Sequence, residues 1–367
     1  MKIIHVAGAR PNFMKLAPIL RALQAYPEIH NLLLHTGQHY DANMSDVFFD
    51  DLKLPRPDIN LGVGSGSHAF QTAQIIERFE QVMLSERPDL VLVVGDVNST
   101  LACSLVAAKL HTPIAHVEAG VRSFDRSMPE EINRLVTDVL SDLLFTPSRH
   151  ANENLRRQGI AEEKIHFVGN VMVDSLLNAL PIARERRSWE RWELSPGNYA
   201  VLTLHRASNV DDPQNLRQIL STLAEISRRL PVVFPVHPRT RQRLQEGNLI
   251  GFIEMSPGLI LSEPLGYLDF LCLTAHARCV LTDSGGIQAE TTILGVPCLT
   301  LRQNTEWLET IEQGTNHLVG IDQVRILQVL DEILAQGNMT PQRPERWDGK
   351  AGVRIAEILH RRAQTMT

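Results

Sequence analysis

The stretch Thr282-Asp283-Ser284-Gly285-Gly286-Ile287-Gln288-Ala289-Glu290 follows the apolar run "CVL", so two glycines sit where a strand gives way to a helix. Glycines at such a turn let backbone N–H groups approach a phosphate, and a helix start favours negative charge. A carboxylate one turn further on does not belong in a bare anion site. It does belong if the anion is part of a nucleotide, because Glu290 can accept hydrogen bonds from both ribose hydroxyls. Taken alone, the same residues also describe a tight turn followed by a surface glutamate.

Other polar clusters carry comparable chemistry. "GARPNFMK" places Arg10 after an apolar run and Lys15 little more than one helical turn later, a pair suited to clamping a diphosphate. Lys15 by itself reads equally as a solvent-facing lysine. "GDVNST" puts Asp96 in a turn, where an Asx-turn or a helix cap explains it as well as catalysis does. "VEAGVRSFDRSMPEEINR" gathers Glu118, Arg122, Asp125, Arg126, Glu130, Glu131 and Arg134. Pro129 suits the first position of a helix, and acids in the first turn complement its dipole, so one of Glu130 and Glu131 is expected to do only that. "AVLTLHRASN" and "VFPVHPRTR" end apolar runs in His205-Arg206 and in His237. Histidine spacings for a helical metal site are missing, and no metal is expected. GxGxxG, Walker and GxSxG sequences are missing too, which removes the usual dehydrogenase, kinase and serine-hydrolase readings.

Each cluster lies at the end of a short apolar run, the place where open α/β sheets bind ligands. The runs "KIIHVAG", "NLLLHTG", "DLVLVVGD", "PIAHVEAG" and "LLFTPS" alternate with amphipathic segments such as "KLAPILRALQAY" and "TLACSLVAAKLH". "YAVLTLH", "PVVFPVH", "LILSEP", "RCVLTD" and "PCLTLR" repeat the pattern later. The expected class is therefore α/β, with two Rossmann-like doubly wound parallel-sheet domains. The charged tract "IARERRSWERWEL" and Pro196-Gly197 suggest a boundary near 175–197. The division expected is an N-terminal domain 1–175 carrying most of the acids, a nucleotide-binding domain 176–350, and a helix within 351–367 packing back toward the first domain. "GVGSGS" at 62–67 reads as a mobile loop.

Composition narrows the partners. The 367 residues are 43% hydrophobic and 21% charged, and 36 basic against 42 acidic side chains leave a net charge of −6. That balance argues against nucleic acid and anionic membranes as partners. Cys103, Cys272, Cys279 and Cys298 form no CxxC pair and sit in apolar surroundings, as expected of a reducing, cytoplasmic setting. The opening "MKIIHVAGARPN" has too short an apolar run for a signal peptide and reads as a first strand. No run approaches the roughly 18 apolar residues of a membrane span.

Together these segments resemble the non-hydrolysing UDP-N-acetylglucosamine 2-epimerase family, whose fold is like that of glycosyltransferase-B enzymes. The resemblance runs from "GARPNFMKLAPI" to "GTNHLVG", and its most specific pieces are "HVEAGVRS", "MPEEINR" and "LTDSGGIQAE". It implies an active-site cleft between the domains, interconversion of UDP-N-acetylglucosamine and UDP-N-acetylmannosamine, no cofactor, and a homodimer. Carried over by motif, the catalytic acids fall on Asp96, Glu118 and Glu130, and the catalytic histidine on His205. Nucleotide contacts fall on Arg10, Lys15, His237, Ser284, Gly285, Gly286 and Glu290, with Arg122 and Arg206 expected to reach the substrate as well. Acids crowded in this way would raise one another's proton affinity.

Two departures from the family pattern stand out. Where many members read "TERP", this chain has "NTEWL", so Trp307 and Leu308 replace an Arg-Pro pair. Where members activated by their own substrate read "HRREN", it has "HRASN", and Ala207 removes a second arginine. Gln38 and His39 match the neighbourhood of that allosteric site, though "GQH" serves equally as a strand-to-helix turn. A hydrolysing epimerase, an epimerase of a modified UDP-sugar, a glycosyltransferase of the same fold and a UDP-sugar sensor are the competing readings.

Overall fold

The computed structural model describes residues 1–38, 56–336 and 343–365. The chain divides into two compact units, Met1–Leu177 with Glu345–Thr367, and Asn178–Pro344.

The first unit strings together β1 (Lys2–Ala7), α1 (Arg10–Leu23), β2 (His30–His35), β3 (Ile59–Asn60), α2 (His68–Glu86), β4 (Leu90–Val94), α3 (Asn98–Lys109), β5 (Ile114–Val117), α4 (Pro129–Leu140), β6 (Leu143–Thr146), α5 (Arg149–Arg157) and β7 (Ile165–Phe167). All seven described strands are parallel, in the order β3-β2-β1-β4-β5-β6-β7. Helices cover a parallel sheet on both faces, which is why its central strands are continuous apolar runs. All five residues of β4 are buried. In register, β1 sets Ile3 beside Leu90 and Val6 beside Val93, so both strands end at one edge of the sheet. The helix Ala351–Thr365 packs on α1, where Gly352 lies so close to Pro18 that a Cβ would come within 2.8 Å of its carbonyl. Asp174 anchors that helix by accepting hydrogen bonds from the Ala351 and Gly352 N–H groups at 3.2 and 2.8 Å. Burial raises the Asp174 carboxyl to about 6.

Helix α6 (Val171–Arg184) follows β7, and the second unit carries β8 (Ala200–Thr203), α7 (Pro213–Ser227), β9 (Val232–Pro235), α8 (Pro238–Glu246), β10 (Leu259–Ser262), α9 (Tyr267–His276), β11 (Cys279–Thr282), α10 (Gly285–Leu294), β12 (Cys298–Thr300), β13 (Asn316–Leu318) and α11 (Gln323–Ala335). Its six strands are again parallel, ordered β10-β9-β8-β11-β12-β13. Both sheets are the doubly wound, Rossmann-like architecture expected from the alternation of apolar runs and amphipathic segments. The charged tract does more than connect. Ser188–Trp192 forms a 3₁₀ turn whose Trp189 is buried against His276, while Ser188 and Arg191 donate to Asp269 of α9.

Candidate active site

Two turns at the carboxyl edge of the first sheet present the acids. β4 runs into Gly95 at φ +68 and then Asp96, and β5 runs into Glu118 at φ +72. A glutamate in the left-handed region is uncommon and stores strain, on the order of 1 kcal/mol, of a kind that gathers at functional sites. Lys15 reaches over from α1 and donates to Glu118 Oε1 at 2.8 Å, with only 11% and 10% of the two side chains exposed. Its Nζ lies 3.0 Å from where a Cβ on Gly95 would stand, so the lysine passes through space that only glycine leaves open. Glu118 Oε2 is buried and has no hydrogen-bond partner among the described residues. Lys15 is therefore not solvent-facing, and its direct partner is an acid.

Asp96 is held by α4. Arg134 donates to Asp96 Oδ2 at 2.5 Å and to Glu131 Oε2 at 3.0 Å, and Asn133 donates to the Asp96 carbonyl at 2.8 Å. Glu131 also accepts from the Ser123 N–H, the Ser123 hydroxyl and the Phe124 N–H. It is taken up in closing its loop onto α4. Glu130 beside it is half-buried, and its side chain makes no hydrogen bond or ion pair among the described residues. The acids are not left to crowd one another: Asp96 and Glu131 share Arg134, and Glu118 has Lys15.

Beneath these turns lies a fully buried network. His116 sets Nδ1 2.6 Å from Asp138 Oδ1 and Nε2 2.8 Å from the Gly95 carbonyl. Asp138 Oδ2 accepts from the Gly120 N–H at 3.1 Å and from Arg122 at 2.5 Å. Burial works to raise the Asp138 carboxyl, but His116 and Arg122 outweigh it and hold it below the usual range. Arg122, expected to reach the substrate, belongs to this network. Its side chain is 1% exposed and engaged with Asp138, Gln158 and the Val121 carbonyl, so it supports the turns from behind. Gln38 is likewise buried: its Oε1 accepts from the Ser99 N–H and hydroxyl, capping α3. His39 lies outside the described residues. Arg10 opens α1 at the end of β1, half-buried.

In the second unit, Ser284 stands at the N-cap of α10 without capping it through its hydroxyl. The two glycines serve different ends. A Cβ on Gly285 would lie 2.6 Å from Glu306 Oε1 and 3.3 Å from Trp307 Nε1, whereas one on Gly286 would meet nothing within 4 Å. Gly285 admits a protein wall, and Gly286 leaves the helix start open to an incoming group. In that wall Glu306 pairs with Arg302 at 2.8 Å and, more loosely, with Arg206 at 3.8 Å. Trp307, one of the departures, is 5% exposed.

His205 follows β8, with its ring 38% exposed and Nδ1 2.7 Å from Asp283 Oδ1. The His237 ring lies 5.8 Å from it, centroid to centroid, and its Nδ1 accepts from the Arg239 N–H to cap α8. Asp283 stood inside the stretch that drew attention in the sequence, yet its type and place gave no sign that it would face a histidine from the neighbouring strand.

Glu290 is 5% exposed, and burial raises its carboxyl to about 7 against the pull of the Tyr267 hydroxyl. Its burial excludes the surface glutamate of the plainer reading, and its Oε2 has no hydrogen-bond partner among the described residues. An unfolded glutamate loses its proton near 4.5, so the folded state binds the extra proton between 4.5 and about 7, and stability falls as pH rises through that window. Glu290→Gln should therefore melt with wild type near pH 5 and be more stable near pH 8, by up to about 3 kcal/mol. Melting curves at the two pH values check this, and an equal offset at both would contradict it.

A family model described as UDP-N-acetylglucosamine 2-epimerase matches residues 21–360. The UDP-N-acetylglucosamine 2-epimerase of Methanocaldococcus jannaschii is 45% identical over 364 residues, 98% of this chain and 99% of that one. A crystal structure from that organism, of UDP-GlcNAc 2-epimerase in complex with UDP-GlcNAc and UDP, superposes with a TM-score of 0.89 over 98% of this chain and 99% of the other. A Pseudomonas aeruginosa UDP-2,3-diacetamido-2,3-dideoxy-D-glucuronate 2-epimerase is 42% identical over 362 residues, again 98% and 99% of the two chains.

Proposed function

Because the chain belongs to the UDP-N-acetylglucosamine 2-epimerase family, we propose that it reversibly inverts C2 of UDP-N-acetylglucosamine by eliminating UDP and adding it back. The observation that carries this reading is Glu118, held by Lys15 at the end of β5 with its second oxygen buried and unpartnered. A carboxylate oxygen kept dry without a partner stands ready for a proton or a cation that only a substrate brings.

The chemistry explains why several charged groups are needed. No carbonyl adjoins C2 of the sugar ring, so direct removal of its proton has a high barrier. Breaking the C1–O bond first sends the electron pair to the departing phosphate oxygen and gives the ring oxocarbenium character. The C2 proton is then labile, and a carboxylate of the Asp96, Glu118 and Glu130 set takes it to leave a 2-acetamidoglucal. UDP adds back to C1 as a proton reaches C2 from the opposite face. Glycine amides at the start of α10, with Arg10 and His205, stabilise the departing diphosphate. Glu290 takes the ribose hydroxyls, and His237 completes the nucleotide contacts.

The same reading carries a homodimer in the cytoplasm that works without cofactor or metal. The four cysteines are free and buried, in keeping with a reducing setting. No described helix is long and apolar enough to cross a membrane.

Proton NMR with UDP-N-acetylglucosamine in heavy water tests the proposal. The expected result is UDP-N-acetylmannosamine, with deuterium entering C2 of both epimers. Free N-acetylmannosamine accumulating with UDP would replace this reading with the hydrolysing reaction. A static spectrum, together with turnover of the diacetamido uronate sugar, would move the substrate toward that of the Pseudomonas relative. Turnover only with an added acceptor would make the chain a glycosyltransferase.

A further inference from the structure

Resting on the epimerase reading, we propose that Asp283 is the positioning residue of His205, fixing the ring so that Nε2 alone works on the departing diphosphate. Asp283 is fully buried, and among the described residues every hydrogen bond its carboxylate accepts comes from the segment 205–209. The His205 N–H reaches its two oxygens at 3.1 and 3.0 Å, the Arg206 N–H reaches Oδ2 at 2.8 Å, and Asn209 Nδ2 reaches Oδ2 at 3.2 Å. Asn209 also donates to the Leu301 carbonyl at 2.9 Å, so the clamp is tied to the strand beyond. Parallel pairing of β8 with β11 sets Thr203 beside Thr282, and this register carries the turn after one strand to the carboxylate after the other.

The chemical consequence concerns one hydrogen. Burial works to raise the Asp283 carboxyl, but the His205 ring and the N–H groups of His205 and Arg206 outweigh it and hold it ionised. An ionised carboxylate only accepts, so the hydrogen at 2.7 Å must sit on His205 Nδ1. The other nitrogen is left to the exposed side of the ring. The Nδ1 of the neighbouring His237 accepts from the Arg239 N–H at 3.3 Å.

In the elimination, the protonated ring donates the Nε2 hydrogen to the phosphate oxygen as the C1–O electron pair arrives there. On re-addition, that oxygen attacks C1 and the proton returns to Nε2. Asp283 stays ionised throughout and balances the charge of the imidazolium.

The test uses the intact chain. Long-range ¹⁵N–¹H NMR of the histidine side chains reads the tautomer directly, and His205 of the wild type is expected to hold its hydrogen on Nδ1. A neutral wild-type ring with hydrogen on Nε2 alone would overturn the proposal, whatever happens to any variant. Asp283→Asn is expected to shift hydrogen toward Nε2 and lower kcat by about 100-fold with KM within about threefold. The pair Asp283→Asn with His205→Asn should be no slower than His205→Asn alone, because the carboxylate acts only through the ring. Losses that multiply, or a KM that rises with kcat unchanged, would make Asp283 a scaffold residue only. Should the wild type turn over no UDP-sugar, the tautomer still decides the positioning, while the heavy-water experiment decides the activity.

Discussion

Glu118→Gln is expected to lower kcat for epimerisation by about 10³-fold, with UDP affinity within about threefold of wild type. The substitution is nearly isosteric but removes the group that can take a proton. Glutamine can still accept from Lys15 through its amide oxygen, so the 2.8 Å contact survives in form while its charge balance is lost. The turn itself should persist, because the Glu118 and Ala119 N–H groups are held by the Phe145 carbonyl rather than by the side chain. UDP affinity is the internal control, since the glycines of α10 and Glu290 belong to the other unit. Turnover followed by NMR and UDP titration by calorimetry give the two numbers. A variant that lost UDP binding but turned over normally at saturation would remove Glu118 from the chemistry.

The strands that carry the site were the legible ones. "DLVLVVGD", "PIAHVEAG" and "RCVLTD" are buried on both faces, and burial on both faces is what produces an unbroken apolar run. β3, β7 and β13 left no such trace, because each is a sheet edge two or three residues long that includes half-exposed or exposed positions. Side chains that act by themselves could be read from type and spacing, as with Glu290 one turn beyond its glycines. Those that act through a neighbour could not. For Arg122 the family motif implies a substrate contact. Nothing in its spacing shows that Asp138, on the inner face of α4, lies under it. Glu306 is hidden in the same way: "NTEW" looks like a lost motif until Gly285 is seen to make room for it.

Asp138→Asn should be the most destabilising conservative change in the first unit. Asp138 is fully buried, with His116 on one oxygen and Arg122 and the Gly120 N–H on the other. Removing its charge leaves a guanidinium sealed in the interior with no counter-ion. Breaking a buried pair in this way costs about 3–5 kcal/mol, because the surviving charge cannot be solvated where it stands. For a domain of this size that corresponds to a fall in melting temperature of about 10 °C. Glu345→Gln is the contrast. The Arg149–Glu345 pair has the same formal charges, but its side chains are 61% and 53% exposed, and water replaces the lost partner. No measurable shift is expected there. The KM of Asp138→Asn tests what Arg122 is for. If it supports the turns from behind, the folded fraction of Asp138→Asn should keep its KM within about threefold at a temperature well below the transition. A small thermal shift with a KM raised about tenfold would instead put the Arg122 guanidinium on the substrate.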